Sequence, residues 1–375
     1  MADFTKTIRV RVRDKHVPLL RQLACAVNLC WNYCNELSSR CIRERGLFLS
    51  TFDLHPYMKG AQKELGLHSQ TLQCVAKEYV TRRQQFRRSR LAWRKSKGVR
   101  RSLGWIPINT GAACWKNGQV YHNGHYFSVW DSYGLSQYRF RTASFTEDAR
   151  GRWYFNVVVE AKPVPSKGMT AVGLDLGLKD IATPSLGEKL QAGHWFRDCE
   201  QALASAQRAR KKKRAQAIHA KIANRRKDAL HKFSRKLVNN HAAIFVGNVK
   251  PQALVGTRLS KSVHDAGWGM LKIMLAYKCE HAGVVFQEID EAYTTQTCSS
   301  CGALPDSRPT GIAGLGIREW ECSVCGVRHD RDRNAAQNIL AAGHRRLVAG
   351  IPLARTSVVP ATLKAIGKGA KSPLL

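Results

Sequence analysis

The sequence predicts an α+β chain of several domains, and three observations carry that expectation. Short β-like runs separated by turns cluster at 4–13 and 104–165. Helical periodicities fill 16–103 and 200–240. A late segment holds two Cys-x2-Cys units twenty residues apart. With 375 residues, 44% of them hydrophobic, the chain can bury two or more cores.

Residues 4–13 alternate, with Phe4, Ile8, Val10 and Val12 on one side and Thr5, Thr7, Arg9, Arg11 and Arg13 on the other. That is a strand with a basic outer face. Pro18 opens a helix whose stripe is Leu20, Leu23, Val27, Trp31, Cys34, Leu37 and Cys41, and Gly46 stops it. Its cysteines read as core filler. A second helix is expected from Ser69 to beyond Trp93, packed through Leu72, Val75, Tyr79, Phe86 and Trp93. Between Arg82 and Arg101 there are ten Lys or Arg and no acid. A solvated face is one reading; a phosphate-contacting face accounts better for so many unbalanced charges. Gln70, Gln73 and Lys77 at its start are side chains able to read base edges, and Arg82, Arg83 and Arg87 are candidate phosphate contacts.

From Trp105 the period becomes that of strands. Residues 119–130 read as a hairpin turning at Asn123-Gly124, followed by strands at 137–144 and 152–161. Together with residues 4–13 they predict a small barrel interrupted by the helical insertion 16–103. Beyond a linker at 163–168, Thr170–Asp175 is an apolar run ending in a carboxylate. The helical stretch 200–240 holds thirteen Lys or Arg between Arg208 and Lys236 against the single Asp228. No heptad seam persists, so a coiled coil fits poorly. A helix on a sheet with a basic flank fits better, with Arg225, Arg226 and Lys232 as nucleic-acid contacts. A strand at 244–249, a helix at 266–282 and a strand at 284–289 follow, and residues 341–375 are expected to form a loose tail.

Net charge is +34, which disfavours the compact state unless a polyanion offsets it. Nucleic acid is the expected partner. Small basic proteins of the ribosomal or chromatin type are usually shorter and poorer in Trp than this chain with its nine. Of twelve cysteines only Cys298, Cys301, Cys322 and Cys325 form tight pairs. With no signal peptide at the N-terminus, the expectation is a reducing cytoplasm, a bacterial nucleoid-associated location, eight free thiols and one closed, structural zinc site. No apolar run approaches membrane-spanning length.

The runs GLDLG, YTTQTCSSCG, ECSVCG and HDRDRNAAQNIL, in this order and spacing, resemble the TnpB (OrfB) family of insertion-sequence RNA-guided nucleases, relatives of the type V CRISPR effectors. The resemblance is strong over 170–340 and looser before it. It implies a wedge barrel (1–15 and 104–165) with an inserted helical recognition lobe (16–103). It also implies an RNase H-like RuvC nuclease domain (166–295 and 328–345), interrupted by a four-cysteine zinc ribbon at 296–327 that binds target nucleic acid, and a disordered basic tail at 346–375. The implied activity is RNA-guided cleavage of double-stranded DNA beside a short adjacent motif, by a monomer holding a guide RNA, two Mg²⁺ and one Zn²⁺.

Such a nuclease holds its metals with carboxylates from three places. Asp175 matches the first, and Asp332, in Asp-x-Asn-Ala-Ala, the third; Asp330 reads as a neighbour. The second breaks the pattern, because Gly247 stands where the family carries Glu. Either the nuclease is dead and the protein is an RNA-guided DNA-binding repressor, or the glutamate has moved. Glu291, where the family usually has Pro, is the candidate, with Glu288 of opposite strand parity as runner-up. One acid lost and one gained at neighbouring strand ends favours relocation. A conventional transposase is the least favoured alternative.

Overall fold

In the computed structural model, which describes residues 4–249, 260–311 and 313–349, the first strand pairs with the last strand of its unit. β1 (Phe4–Val12) buries Ile8, Val10 and Val12 and exposes Arg9. It lies antiparallel between β8 (Trp153–Ala161) and β6 (Val129–Trp130), with Ile8 opposite Val157 and Val10 opposite Phe155. With β2 (Trp105–Ile108) and β7 (Phe140–Glu147) the order is β2-β7-β8-β1-β6. The hairpin of β4 (Gln119–His122) and β5 (His125–Phe127) turns at Asn123-Gly124, both at positive φ. It joins β3 (Ala113–Lys116) in a separate three-stranded sheet. At Ser128 the chain switches sheets, accepting the Arg13 N–H and donating its own to His16 Nε2.

Between β1 and β2 run α1 (Val17–Arg45), α2 (Thr51–Leu54), α3 (Ala61–Leu65) and α4 (Ser69–Phe86). α1 carries Pro18 in its first turn and stops at Gly46 in the left-handed conformation. Cys30 and Cys34 are buried against the Met58 sulfur, as core filler. The expected helix through Trp93 does not form. α4 closes at Arg87 (φ +50), whose N–H bonds the carbonyls of Arg83 and Gln84. The following segment is strapped back along α1 instead: Asn35 pairs with both backbone groups of Leu91, and Asn32 with both of Arg94. The basic run therefore has no single helical face.

The described residues up to 162 and those from 163 onward form two compact units. In the second, the strand order is β11-β10-β9-β12-β13. β9 (Thr170–Asp175), β12 (His241–Gly247) and β13 (Val285–Ile289) are parallel, while β10 (Asp180–Pro184) runs antiparallel to β9, and β11 (Leu190–Gln191) forms the edge. The stretch expected as one helix over 200–240 is two, α5 (Arg197–Arg208) and α6 (Lys212–Asn240), parted where Arg210 takes φ +52. α7 (Ser260–Ala266) and α8 (Trp268–Ala282) are likewise parted at Gly267.

One sheet face buries Val172, Leu174, Ile244 and Val246 with Leu230, Leu237, Leu271 and Leu275 of α6 and α8. The other buries Ala243, Phe245 and Ile289 under Ile339 of α9 (Arg331–Val348). Residues 341–348, expected in the loose tail, continue α9, with Gly343 buried beside Phe245. The remainder of that tail, from 350, lies outside the described residues. β14 (Glu319–Glu321) and β15 (Arg328–Asp330) form the small ribbon that leads into α9.

Candidate metal centres

α9 comes unusually close to β9 because Gly173 has no side chain. A Cβ there would lie 2.1 Å from the Ala336 carbonyl oxygen. Two residues along the strand, on the same face, is Asp175; one helical turn before Ala336 is Asp332. The close approach of helix and strand thus brings two carboxylates from segments far apart in sequence to one end of the sheet.

The third acid enters from β13. Gly247 is opposite Ile289 in register, and the chain leaves the sheet just beyond it. A Cβ built on Gly247 would lie 2.9 Å from Glu291 Oε2 and 3.3 Å from Ile339 Cδ1. The Glu291 carboxylate therefore occupies the space a side chain at 247 would enter. Its loop is tied to α9. Asn334 and Asn338, one turn apart, both donate to the carbonyls of Thr294 and Thr297 at 2.7–3.2 Å. Thr294 closes the turn by donating its hydroxyl to the Glu291 carbonyl at 2.8 Å. The two asparagines of RNAAQN thus fix the loop carrying Glu291 to the helix carrying Asp332. Glu288 faces elsewhere, paired with Lys272 at 2.8 Å.

The electrostatics join the three acids. Burial at the strand end, then the charges of Asp332 and Glu291, push Asp175 up to about 7, against the opposing charge of Arg331. Glu291 is also raised, first by burial, with Lys272 opposing. A buried carboxyl at Asp175 whose ionisation two neighbouring carboxylates oppose forms with them a donor set that a hard divalent cation would relieve. Their oxygens are not all within 4.8 Å of one another, and Arg318 Nη1 lies 3.3 and 3.4 Å from the two oxygens of Asp332. Asp330 caps α9 through the Arg333 N–H and pairs with Lys189, a structural part. Arg331, Lys272 and the two asparagines went unread in the sequence; only the asparagine spacing of one helical turn could have signalled them.

Cys298, Cys301, Cys322 and Cys325 come together, with all four sulfurs within 4.8 Å of one another, a set that could bind zinc. The Sγ–Sγ distances of 3.7 Å (298 to 325) and 3.8 Å (301 to 322) match the edge of about 3.8 Å expected for a tetrahedron of Zn–S bonds. His329 Nε2 lies 3.0 Å from Cys298 Sγ, and its ring packs on Trp320. Trp320, in the stretch between the two cysteine pairs, is 6% exposed and packs.

The expected nucleic-acid contacts divide. Gln73, Lys77, Arg87, Arg225 and Lys232 are exposed, while Lys232 pairs with Asp228 and Arg82 with Glu78. Gln70 is half-buried. Arg83 is a correction. It is 3% exposed, bonded to the Ser38 hydroxyl and the Leu49 carbonyl, and holds α4 to α1 rather than facing solvent. Arg226 is half-buried, bonded to the His264 carbonyl beside Asp265.

Comparison with known proteins agrees with the motif resemblance. A family described as "Cas12f1-like, TNB domain" matches residues 268–339, and one described as "Probable transposase" (OrfB_IS605) matches 154–258. A "Putative RNA-guided DNA endonuclease" of Streptomyces pristinaespiralis is 35% identical over 217 residues, 54% of this chain and 52% of that protein. The "Putative RNA-guided DNA endonuclease InsQ" of Escherichia coli K12 is 32% identical over 232 residues, 53% of this chain and 56% of that protein. The chain thus matches about half the length of these curated relatives. A cryo-EM structure titled as a Cas12f1–sgRNA–target DNA complex covers 90% of this chain and 98% of its own at 12% identity, with a TM-score of 0.54. The chain has a Cas12f-like, mixed α+β fold. Among the described residues no helix is long and apolar enough to cross a membrane.

Proposed function

We propose that this protein is an RNA-guided DNA endonuclease. It holds a guide RNA, pairs it with one strand of double-stranded DNA beside a short adjacent motif, and cuts the DNA at a single RuvC-type site built from Asp175, Glu291 and Asp332. The observation that carries this reading is the placement of the Glu291 carboxylate in the volume left empty at Gly247, in electrostatic contact with Asp175. The strand order β11-β10-β9-β12-β13, with β10 alone antiparallel among the main strands, supports an RNase H-like layout. The strands of the first unit support the wedge-barrel reading, and the names of the relatives support the guided chemistry.

Bound Mg²⁺ would supply Lewis acidity at the scissile phosphate and at the attacking water. The chain's own residues do the rest. Asp175 fixes the floor of the site at a strand end. Asn334 and Asn338 hold the Glu291 loop against α9. Arg318, beside Asp332 at 3.3 Å, would offer a positive charge to the DNA backbone. Specificity would come from base pairing, with the protein reading duplex shape. The four cysteines would hold a closed structural Zn²⁺ within the insert.

The test is purification from cells expressing the locus. The account expects co-purifying RNA and Mg²⁺-dependent cutting of matched DNA, and loss of cutting with retained binding in Glu291→Ala. RNA and DNA binding without cutting by the wild type would mean the guided repressor; no bound RNA would mean neither.

A further inference from the structure

The cysteine cluster lies against the helix that carries Asp332, and His329 and Ser299 bridge the two. Four thiolates on one Zn²⁺ leave a surplus of negative charge, which needs N–H donors where water is excluded. Backbone N–H groups serve three of the sulfurs: Ala303 donates to Cys301, Val324 and Cys325 to Cys322, and Val327 to Cys325. Cys298, fully buried, is met by a side chain, with His329 Nε2 3.0 Å from its sulfur. A zinc-bound thiolate only accepts, so Nε2 carries the proton there. His329 is buried opposite Trp320 in the ribbon, one residue before Asp330, the cap of α9, and three before Asp332. One side chain therefore joins a sulfur to the root of the helix that presents Asp332.

The same knuckle also docks on α9 directly. Ser299, next to Cys298, donates its N–H to Asn334 Oδ1 at 2.9 Å and its hydroxyl to Gln337 Oε1 at 2.7 Å. Asn334 is buried, and its Nδ2 is taken up by the Thr294 and Thr297 carbonyls of the Glu291 loop. The Ser299 N–H therefore fixes which way that amide faces. Turned over, Asn334 would set its donors against the Ser299 N–H and its oxygen against the two carbonyls. The knuckle is closed by the Cys298 N–H to the Ala303 carbonyl and the Gly302 N–H to the Cys298 carbonyl, and a zinc bound to Cys298 and Cys301 would hold that turn in shape. We propose that the zinc cluster positions the nuclease site: through His329 and Ser299 it holds the start of α9 and the Asn334 amide, so that Zn²⁺ occupancy sets how well Asp175, Glu291 and Asp332 take up a divalent cation. His329, Ser299 and Asn334 act as positioning residues, and this rests on the reading of the three acids as a metal site.

The test needs no cleavage. Mn²⁺ binding to the full chain is followed by paramagnetic resonance without nucleic acid, beside the absorption bands of the Co²⁺-loaded cysteine cluster. Wild-type protein stripped of zinc, dialysed free of chelator and then reloaded should lose most of its Mn²⁺ affinity and regain it. His329→Leu removes the donor to Cys298 and keeps an apolar side chain in its place. It should hold zinc about tenfold less tightly, as for a lost partner of a metal ligand. It should also shift the Co²⁺ bands and, at zinc saturation, bind Mn²⁺ several-fold more weakly. His329→Gln, which brings an N–H back toward Cys298, should recover the zinc affinity, the bands and the Mn²⁺ binding, a rescue that mere loss of packing would not show. Should the zinc-free chain lose its fold, the two variants at zinc saturation decide. Mn²⁺ binding that Asp175→Asn does not weaken would overturn the reading of the acids as a metal site, and the coupling with it. Mn²⁺ binding that needs Asp175 yet is unchanged in His329→Leu, or Co²⁺ bands indifferent to residue 329, overturns the coupling alone.

Discussion

Glu291 and Gly247 compete for one volume: a carboxylate oxygen of the first lies 2.9 Å from where a Cβ on the second would sit. The two positions are therefore alternatives, and a nuclease site of this shape needs an acid from one of them. Gly247→Glu alone should crowd Glu291 and Ile339 and lower cleavage. Glu291→Ala should lose cleavage by at least about a hundredfold, in the range of lost charge-stabilising groups. Combining Gly247→Glu with Glu291→Ala should restore a substantial part of it. Rates on guide-matched DNA for the three variants check this; a double variant as inactive as Glu291→Ala would mean that the two positions do not exchange roles.

Asp175 gives the pH dependence its sign. Its folded-state value of about 7 stands above the ordinary 3.8. The folded protein therefore holds this proton more tightly than the unfolded chain. The stabilising contribution is complete below the unfolded value and is lost as pH rises through about 7. In Mg²⁺-free buffer, the Tm of the wild type should fall between pH 4 and 8 relative to Asp175→Asn. Mg²⁺ needs the ionised form, so its effect on Tm should grow over the same range. Thermal melts at pH 5 and 8, with and without Mg²⁺, measure both trends, and a Mg²⁺ shift independent of pH would count against the assignment.

Much of the framework could be read in the sequence, because the signals were local. Alternation marked β1, Pro18 and Gly46 bounded α1, Asn123-Gly124 marked the hairpin, and the cysteine spacing marked the four-sulfur cluster. What could not be read depended on tertiary contacts. Nothing between Arg87 and Trp93 breaks a helix; the segment leaves α4 because Asn32 and Asn35 of α1 capture its backbone. Arg83 sits in a basic run that looked solvent-facing, yet it is drawn inward by Ser38 and Leu49. At the acidic site the sequence pointed to Asp175, Glu291 and Asp332, and the structure puts them within electrostatic reach. That Arg318 would sit on Asp332 depended on how the ribbon folds back.

Arg83 leads to a prediction that separates packing from binding. Arg83→Ala leaves the Leu49 carbonyl and Ser38 hydroxyl without a donor in a buried place. Denaturant melts should show a loss of about 2–3 kcal/mol. Salt-dependent binding of nucleic acid by the folded fraction should not change, whereas Arg87→Ala, at an exposed position, should reduce the salt slope without lowering stability. A weakened salt slope in Arg83→Ala would place that residue back at an interface.

The cysteine cluster predicts that Cys322→Ser loses its zinc and unfolds the small ribbon around Trp320, since Cys298, Cys322 and Trp320 are the buried members of that cluster. Metal analysis of the purified variant, beside its Tm, reads this directly; one zinc per chain retained would remove Cys322 from the ligand set.

The central claim is that Asp175, Glu291 and Asp332 grip the same metal centre, and anomalous scattering from Mn²⁺-soaked crystals tests it most directly. The account predicts Mn²⁺ peaks in contact with oxygens of all three side chains, with Arg318 displaced from Asp332. Peaks that leave Glu291 without a metal contact, or none at this end of the sheet in a protein that still cuts DNA, would contradict it.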